Sequence, residues 1–153
     1  MTNPQAVDPV LPVTTKRMTS TRGRDNAREI AIRSELHRRG LRFRLHQRLL
    51  KMTRRSVDIV FPVARVAVFI DGCFWHGCPI HRTWPKNNAK WWSEKIETNI
   101  ARDRDTDRRL VELGWTIVRV WEHDKIDKAA DQIERTVRTR ASRCNSRPSI
   151  DRA

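Results

Sequence analysis

The chain has 153 residues, which is enough for one domain with a real core but too few for two. Hydrophobic residues make up 38%, below the roughly 45–50% of typical globular domains, so part of the chain is expected to remain unpacked. No run of about 18 apolar residues and no signal-peptide core occurs, so we expect neither a membrane span nor secretion.

The net charge of +14 lies at the two ends of the chain. Residues 1–60 hold 14 Lys or Arg against five acids, residues 135–153 hold six against one, and the middle holds 12 of each. Basic ends around a neutral middle indicate two terminal segments that bind a polyanion, with a chemical site between them. The plainer alternative is a basic protein with ragged ends.

In chain order, residues 1–20 are predicted to be a flexible basic arm, 21–142 a single domain and 143–153 a basic tail. A first helix begins at Asp25 or Asn26 and ends near Arg39, where Gly40 is a good stop. Residues 41–46 alternate and predict a short edge strand.

The remaining elements follow from periodicity and from Gly and Pro positions. They are strands at 57–61 and 65–71, an irregular loop at 72–90, a long helix at 91–113, a strand at 115–121 and a last helix from Asp124 or Asp127 to about 140. This order predicts an α/β fold with a mixed sheet flanked by helices.

One acid lies in line with the core-facing residues of the first helix. Glu29, Ile32 and Leu36 share a stripe, so Glu29 is either part of a site or a first-turn acid favoured by the helix dipole. His37 and His46 stand in basic stretches, and we expect both to be solvated and without function.

Asp58 and Asp71 lie near the ends of two consecutive strands. A hairpin of this length can bring both carboxylates to one sheet edge, where they could hold Mg²⁺. Such an ion would activate water and stabilise charge on a phosphoryl group. Paired acids near strand ends are also common in α/β proteins without a metal.

The loop after Asp71 has the spacing of a zinc site. Cys73, Cys78 and His81 are thiolate and imidazole ligands close together, as in structural tetrahedral zinc sites. The fourth ligand is either His76 or a residue elsewhere, for which His123 is the best candidate. The alternative is a pair of buried free cysteines.

If His76 is not a zinc ligand, it is suited to take a proton from an attacking water. Asp103, on the inward side of the long helix with Asn99 one turn before it, could orient its ring. The neighbouring Phe74 and Trp75 either wedge between DNA base steps or pack on the loop and the long helix.

Four segments together carry a resemblance to a known family: Asp58, FIDGCFWHGC (69–78), WWSEKIETNIARDRD (91–105) and LGWTIVRVWEH (113–123). With MTSTRGRDNAREIAIRSELHRRGLRFRL (18–45), they resemble the very short patch repair (Vsr) mismatch endonucleases of the PD-(D/E)XK nuclease fold. The resemblance implies an Mg²⁺-dependent enzyme that nicks one strand 5′ to the thymine of T:G mispairs left by deaminated 5-methylcytosine.

The resemblance also assigns roles. It implies Mg²⁺ on Asp58 and the Ile70 carbonyl, His76 activating the water with Asp103 in support, and Glu29 as the first-helix acid. The zinc set maps to Cys73, Cys78, His81 and His123, and the DNA contacts to Met18, Phe74, Trp75, Lys95 and Asn99. We further expect a monomer on duplex DNA, a functional link to a DNA cytosine-5 methyltransferase, and a cytoplasmic, nucleoid-associated place in a bacterium.

Three departures from the family bear on these roles. Asp71 replaces a histidine, which leaves its catalytic part unassigned. The last zinc ligand is His123 where a cysteine is usual, and the zinc loop is shortened. Two other hypotheses remain: a restriction-type nuclease without mismatch specificity, and a non-catalytic, zinc-stabilised DNA-binding protein.

Overall fold

The computed structural model describes residues 26–73, 75–81 and 86–145, with the backbone alone for 144 and 145. The predicted arm at 1–20, Met18, Phe74 and the last eight residues of the predicted tail lie outside the described residues. In order, the elements are α1 (Ala27–Arg38), β1 (Arg44–Gln47), β2 (Val57–Phe61), β3 (Val66–Asp71), α2 (Ala89–Glu112), β4 (Thr116–Trp121) and α3 (Ile126–Asn145).

The four strands form one mixed sheet in the order β1-β2-β3-β4. β1 pairs antiparallel with β2, and β2 with β3, while β3 and β4 run parallel. The parallel pair requires a crossover, and the loop after β3 together with α2 supplies it. The predicted α/β architecture with a mixed sheet is therefore confirmed.

Apolar side chains cover both faces of the sheet. On one face, Ile32 and Leu36 of α1 and Ile133 of α3 pack in one cluster with residues of β2, β3 and β4. On the other face, Leu110 of α2 packs on Phe69 and its neighbours. The sheet is thus the middle layer, with α1 and α3 on one face and α2 on the other. This is expected for strands that are nearly continuous runs of apolar residues.

The helix ends follow the predicted signals, with one difference. The side chain of Asn26 caps α1 by accepting a hydrogen bond from the Glu29 N–H at 2.8 Å, and Gly40 follows the helix with φ +78°. The last helix continues to Asn145, beyond the predicted end near residue 140, because Val137 remains buried and Ala141 packs on the same core cluster.

In the part of the chain that is described, no helix has the length and apolar content needed to span a membrane.

Candidate active site and metal centre

Asp58 lies at the end of the sheet where β2 and β3 separate. Its Oδ2 accepts a hydrogen bond from the Ile70 N–H at 2.8 Å. Burial raises the pKa of Asp58 to about 6, and the charges of Glu29 and Asp71 add to the effect. A carboxylate held among other acids away from water is a group that a cation would stabilise.

Glu29 and His46 complete a cluster around Asp58. The side chain of Glu29 is 7% exposed, and its Oε1 lies 3.4 Å from His46 Nε2. One ligand atom from each of Glu29, His46 and Asp58 lies within 4.8 Å of the other two. Of the two interpretations of Glu29, the one that places it in a site matches the geometry.

His46 joins this cluster although the sequence did not indicate it, and the expectation that it is solvated is wrong. Its side chain is only 18% exposed. The antiparallel pairing of Leu45 with Ile59 brings His46 opposite Asp58. In the sequence, the only sign of this role was the position of the histidine at the end of a predicted edge strand. The strand register, which the sequence does not give, places it opposite Asp58.

The second part of the site is a hydrogen-bonded histidine and carboxylate. His76 Nδ1 and Asp103 Oδ2 are 2.6 Å apart, and Asp71 Oδ1 lies 3.7 Å from the same nitrogen. Burial alone would lower the pKa of His76, but the hydrogen bond to Asp103 and the charge of Asp71 outweigh it and raise the pKa. The arrangement is that of a histidine oriented by a carboxylate.

Asp71 belongs to this second part and not to the cluster around Asp58. Both of its carboxylate oxygens accept hydrogen bonds from Arg119 Nη1, at 2.8 and 2.9 Å. Burial raises the pKa of Asp71 even though His76 and Arg119 oppose the shift. The sequence pattern suggested that Asp58 and Asp71 share a cation, whereas the structure gathers Glu29 and His46 around Asp58.

A separate group of four side chains has the composition of a zinc centre. Its members are Cys73, Cys78, His81 and His123, with one ligand atom of each within 4.8 Å of the others. Cys73 Sγ lies 3.0 Å from His123 Nδ1, and the other three sulfur–nitrogen separations are 3.7–3.8 Å. A tetrahedral zinc site with usual bond lengths separates its ligand atoms by roughly 3.3–3.8 Å.

The surroundings of the group also suit a metal. Without a cation, burial and the neighbouring Cys78 raise the pKa of Cys73 to about 12, so a thiolate there needs a bound positive charge. The Cys73 N–H donates to Glu122 Oε1 at 2.8 Å, which ties the loop to the turn that carries His123. His76 stands outside this group, so the open choice between His76 and His123 favours His123 on geometry.

Gly77 lies between His76 and Cys78, and its backbone packs closely against α2. Its φ is +64°, and a Cβ there would lie 2.7 Å from Ile100 Cδ1. Glycine accepts both the left-handed backbone and the close approach. The loop can therefore present His76 toward α2 while Cys78 stays buried beside the other metal-type ligands.

Three predicted DNA contacts fall within the described residues. Trp75 is half-buried, with its ring centroid 6.0 Å from that of Trp92, so the packing alternative describes its position. Asn99 Nδ2 donates to the Trp75 carbonyl at 3.4 Å, and Lys95 lies one turn earlier on α2. Asn99 therefore holds the loop in place, whatever it contacts on DNA.

Comparison with known proteins agrees with this architecture. A family model described as DNA mismatch endonuclease Vsr matches residues 13–82. The type II nicking enzyme V.NaeI of Lentzea aerocolonigenes is 40% identical over 124 residues, covering 80% of this chain and 75% of that enzyme. V.XorIIP of Xanthomonas oryzae pv. oryzae is 43% identical over 115 residues, covering 74% and 82%. The DNA mismatch endonuclease Vsr of Escherichia coli is 38% identical over 109 residues, covering 70% and 67%.

The fold and its relatives define the class of protein as a DNA endonuclease, a hydrolase of the DNA backbone. Within that class, the chain belongs to the Vsr family of DNA mismatch endonucleases, as its resemblance predicted.

Proposed function

We propose that the protein nicks one strand of duplex DNA, 5′ to the thymine of T:G mispairs that arise when 5-methylcytosine deaminates. The observation that supports this best is the His76–Asp103 pair, with Nδ1 and Oδ2 2.6 Å apart. Asp71 lies 3.7 Å from His76 and also contributes to the electrostatic environment of Asp58. The charge of Asp71 therefore acts on both the histidine and the cluster around Asp58.

The chemical roles follow from this geometry. Asp103 holds the Nδ1 hydrogen of His76, so Nε2 is the ring nitrogen that can accept a proton from water. The resulting hydroxide attacks phosphorus and forms a new P–O bond, and the bond from phosphorus to one ester oxygen breaks. That oxygen leaves as an alkoxide and takes a proton from solvent, to which His76 returns its own. Asp58, the Ile70 carbonyl and Glu29 would hold Mg²⁺, which supplies charge stabilisation on the phosphate when bound.

We infer that the Cys73, Cys78, His81 and His123 group holds a structural zinc ion. Two buried thiols, three of four sulfur–nitrogen separations in the tetrahedral range and the hydrogen bond to Glu122 support a closed site. The role of such a site is to fix the loop that carries His76.

The mismatch and the partner are parts of the same proposal. T:G pairs of this origin form only at methylated cytosines, so the flanking sequence should be one that a DNA cytosine-5 methyltransferase modifies. The basic ends of the chain suit the DNA backbone, whose phosphates would contribute the salt-dependent part of the affinity.

The test uses a labelled duplex with one central T:G pair. We expect nicking with Mg²⁺ and none with EDTA, and Asp58→Ala should lose nicking while it still binds DNA in a fluorescence anisotropy titration. Nicking by Asp58→Ala at the wild-type rate would contradict the placement of the cation.

A second candidate is a nicking enzyme without mismatch specificity, since several relatives carry the name type II nicking enzyme. Duplexes of identical sequence with T:G or C:G at one position separate the two, because equal cleavage would refute mismatch specificity. The family favours either enzyme over the non-catalytic DNA-binding hypothesis.

A further inference from the structure

Arg119 is a charged residue at the edge of the site to which the sequence pattern assigned no role. It lies on β4, where the parallel register pairs it with Phe69 of β3. Its guanidinium carbon lies 4.5 Å from the centroid of the Phe69 ring. The side chain thus covers the sheet face beneath α2 and points along it toward Asp71, two residues beyond Phe69.

Both edges of the guanidinium are occupied by carboxylates. Nη1 donates to both oxygens of Asp71 at 2.8 and 2.9 Å, and Nε and Nη2 donate to Asp107 at 2.9 and 2.8 Å. Asp71 is 4% exposed. The fork of two nitrogens is on Asp107, whereas Nη1 alone donates to both oxygens of Asp71, so the pair with Asp71 acts through a buried charge at close range.

Asp71 is also a potential competitor for the histidine of the site. A neutral imidazole carries one N–H, and two carboxylates lie near the Nδ1 of His76. Asp103 is at 2.6 Å and Asp71 at 3.7 Å. Whichever carboxylate takes the hydrogen sets the orientation of the ring, and with it the direction of Nε2.

We propose that Arg119 is a positioning residue of the nuclease site, which holds Asp71 in a buried ion pair so that His76 remains hydrogen-bonded to Asp103. The inference rests on the proposed function, in which His76 accepts the proton of the attacking water. Without the guanidinium, His76 would be the cation left beside Asp71 among the residues that the structure describes, and Asp71 would draw the ring away from Asp103.

The alternative is that Arg119 only ties β4 to α2 through Asp107. Nη1 serves Asp71, whereas Nε and Nη2 serve Asp107 and Nη2 also lies 3.9 Å from Asp103 Oδ1, so the two roles use different nitrogens and can be separated. Asp107→Asn weakens the tie to α2 and leaves the ion pair between Arg119 Nη1 and Asp71 intact. Asp107 touches neither His76 nor the cluster around Asp58 in any contact described, so it is the matched control.

The experiment measures kcat and KM for nicking of the T:G duplex, with zinc content and melting temperature recorded for each variant. For Arg119→Leu we expect kcat to fall about ten- to hundred-fold, because the general base His76 is misplaced. KM should stay within about two-fold of wild type, because DNA binding does not depend on the orientation of His76. Asp107→Asn should melt at a lower temperature yet keep kcat within about three-fold. Adding Asp71→Asn to Arg119→Leu should restore kcat by about ten-fold, because the uncompensated carboxylate is gone.

Equal losses of kcat in Arg119→Leu and Asp107→Asn would overturn the inference, as would a double variant no better than Arg119→Leu. If Arg119→Leu does not fold, Arg119→Lys replaces it, and its kcat should also fall because one ammonium must serve both Asp71 and Asp107. Adding Asp107→Asn to Arg119→Lys leaves the ammonium to Asp71 and should raise kcat, and no increase would overturn the inference.

His76→Ala in the same assay separates this inference from the proposed function. Wild-type nicking by His76→Ala would refute the proposed function itself. Loss of nicking in His76→Ala together with wild-type kcat in Arg119→Leu would refute only the role of Arg119.

Discussion

Replacing Gly77 with alanine should destabilise the protein through two separable effects. The backbone there has φ +64°, and left-handed geometry costs a residue with a Cβ about 1–2 kcal/mol. The new Cβ would also stand 2.7 Å from Ile100 Cδ1, so that side chain must leave its rotamer at a cost of about 0.5–1.5 kcal/mol. Together these effects should lower the free energy of unfolding by about 1.5–3.5 kcal/mol.

Gly40→Ala is the matched control for the backbone effect. Gly40 has φ +78°, but a Cβ there would have no neighbour within 4 Å. The control should therefore cost only about 1–2 kcal/mol. Ile100→Val removes the very methyl group that the new Cβ meets, so adding it to Gly77→Ala should recover about 1 kcal/mol in a double-mutant cycle.

Urea denaturation followed by circular dichroism measures all four variants, with zinc content and nicking in parallel. Because Gly77 lies between His76 and Cys78, Gly77→Ala should also reduce nicking, whereas Gly40→Ala should not. Equal destabilisation of the two alanine variants, or no coupling with Ile100→Val, would refute the steric argument.

The other predictions concern the titrating and metal-binding groups. Because folding raises the pKa of Asp58 from about 3.8 to about 6, the folded state binds the proton more tightly. The stability of the metal-free protein should then fall by at most about 3 kcal/mol as pH rises from about 4 to 6. Asp58→Asn removes this charge, so at pH 7.5 it should melt at a higher temperature than wild type. A melting temperature no higher than that of wild type would contradict the prediction. His76→Ala should keep zinc in elemental analysis but lose nicking, while Cys73→Ala should lose zinc and stability; loss of zinc from the first variant would show that the histidine is a ligand. His46→Ala should reduce nicking about ten-fold, because the imidazole orients the Glu29 carboxylate. The control is His37→Ala, which changes an exposed histidine. Equal nicking rates for the two variants would show that His46 is not part of the site.

The amino-acid sequence by itself determined the elements and the chemistry that depend on short spacing. Periodic apolar residues placed each strand and helix, and capping signals at Asn26 and Gly40 marked the ends of the first helix. Cys73, Cys78 and His81 lie within nine positions, so their ligand character was visible without a fold. The family followed from motifs of the same local kind.

Only the tertiary structure decided which distant residues meet. His46 reaches Asp58 through the register of an antiparallel edge strand, and Arg119 reaches Asp71 across 48 positions through a parallel pairing. A one-residue shift of either register would turn these side chains to the opposite face. The identity of a residue gives its chemistry, but its partner depends on packing between segments that the local pattern does not relate.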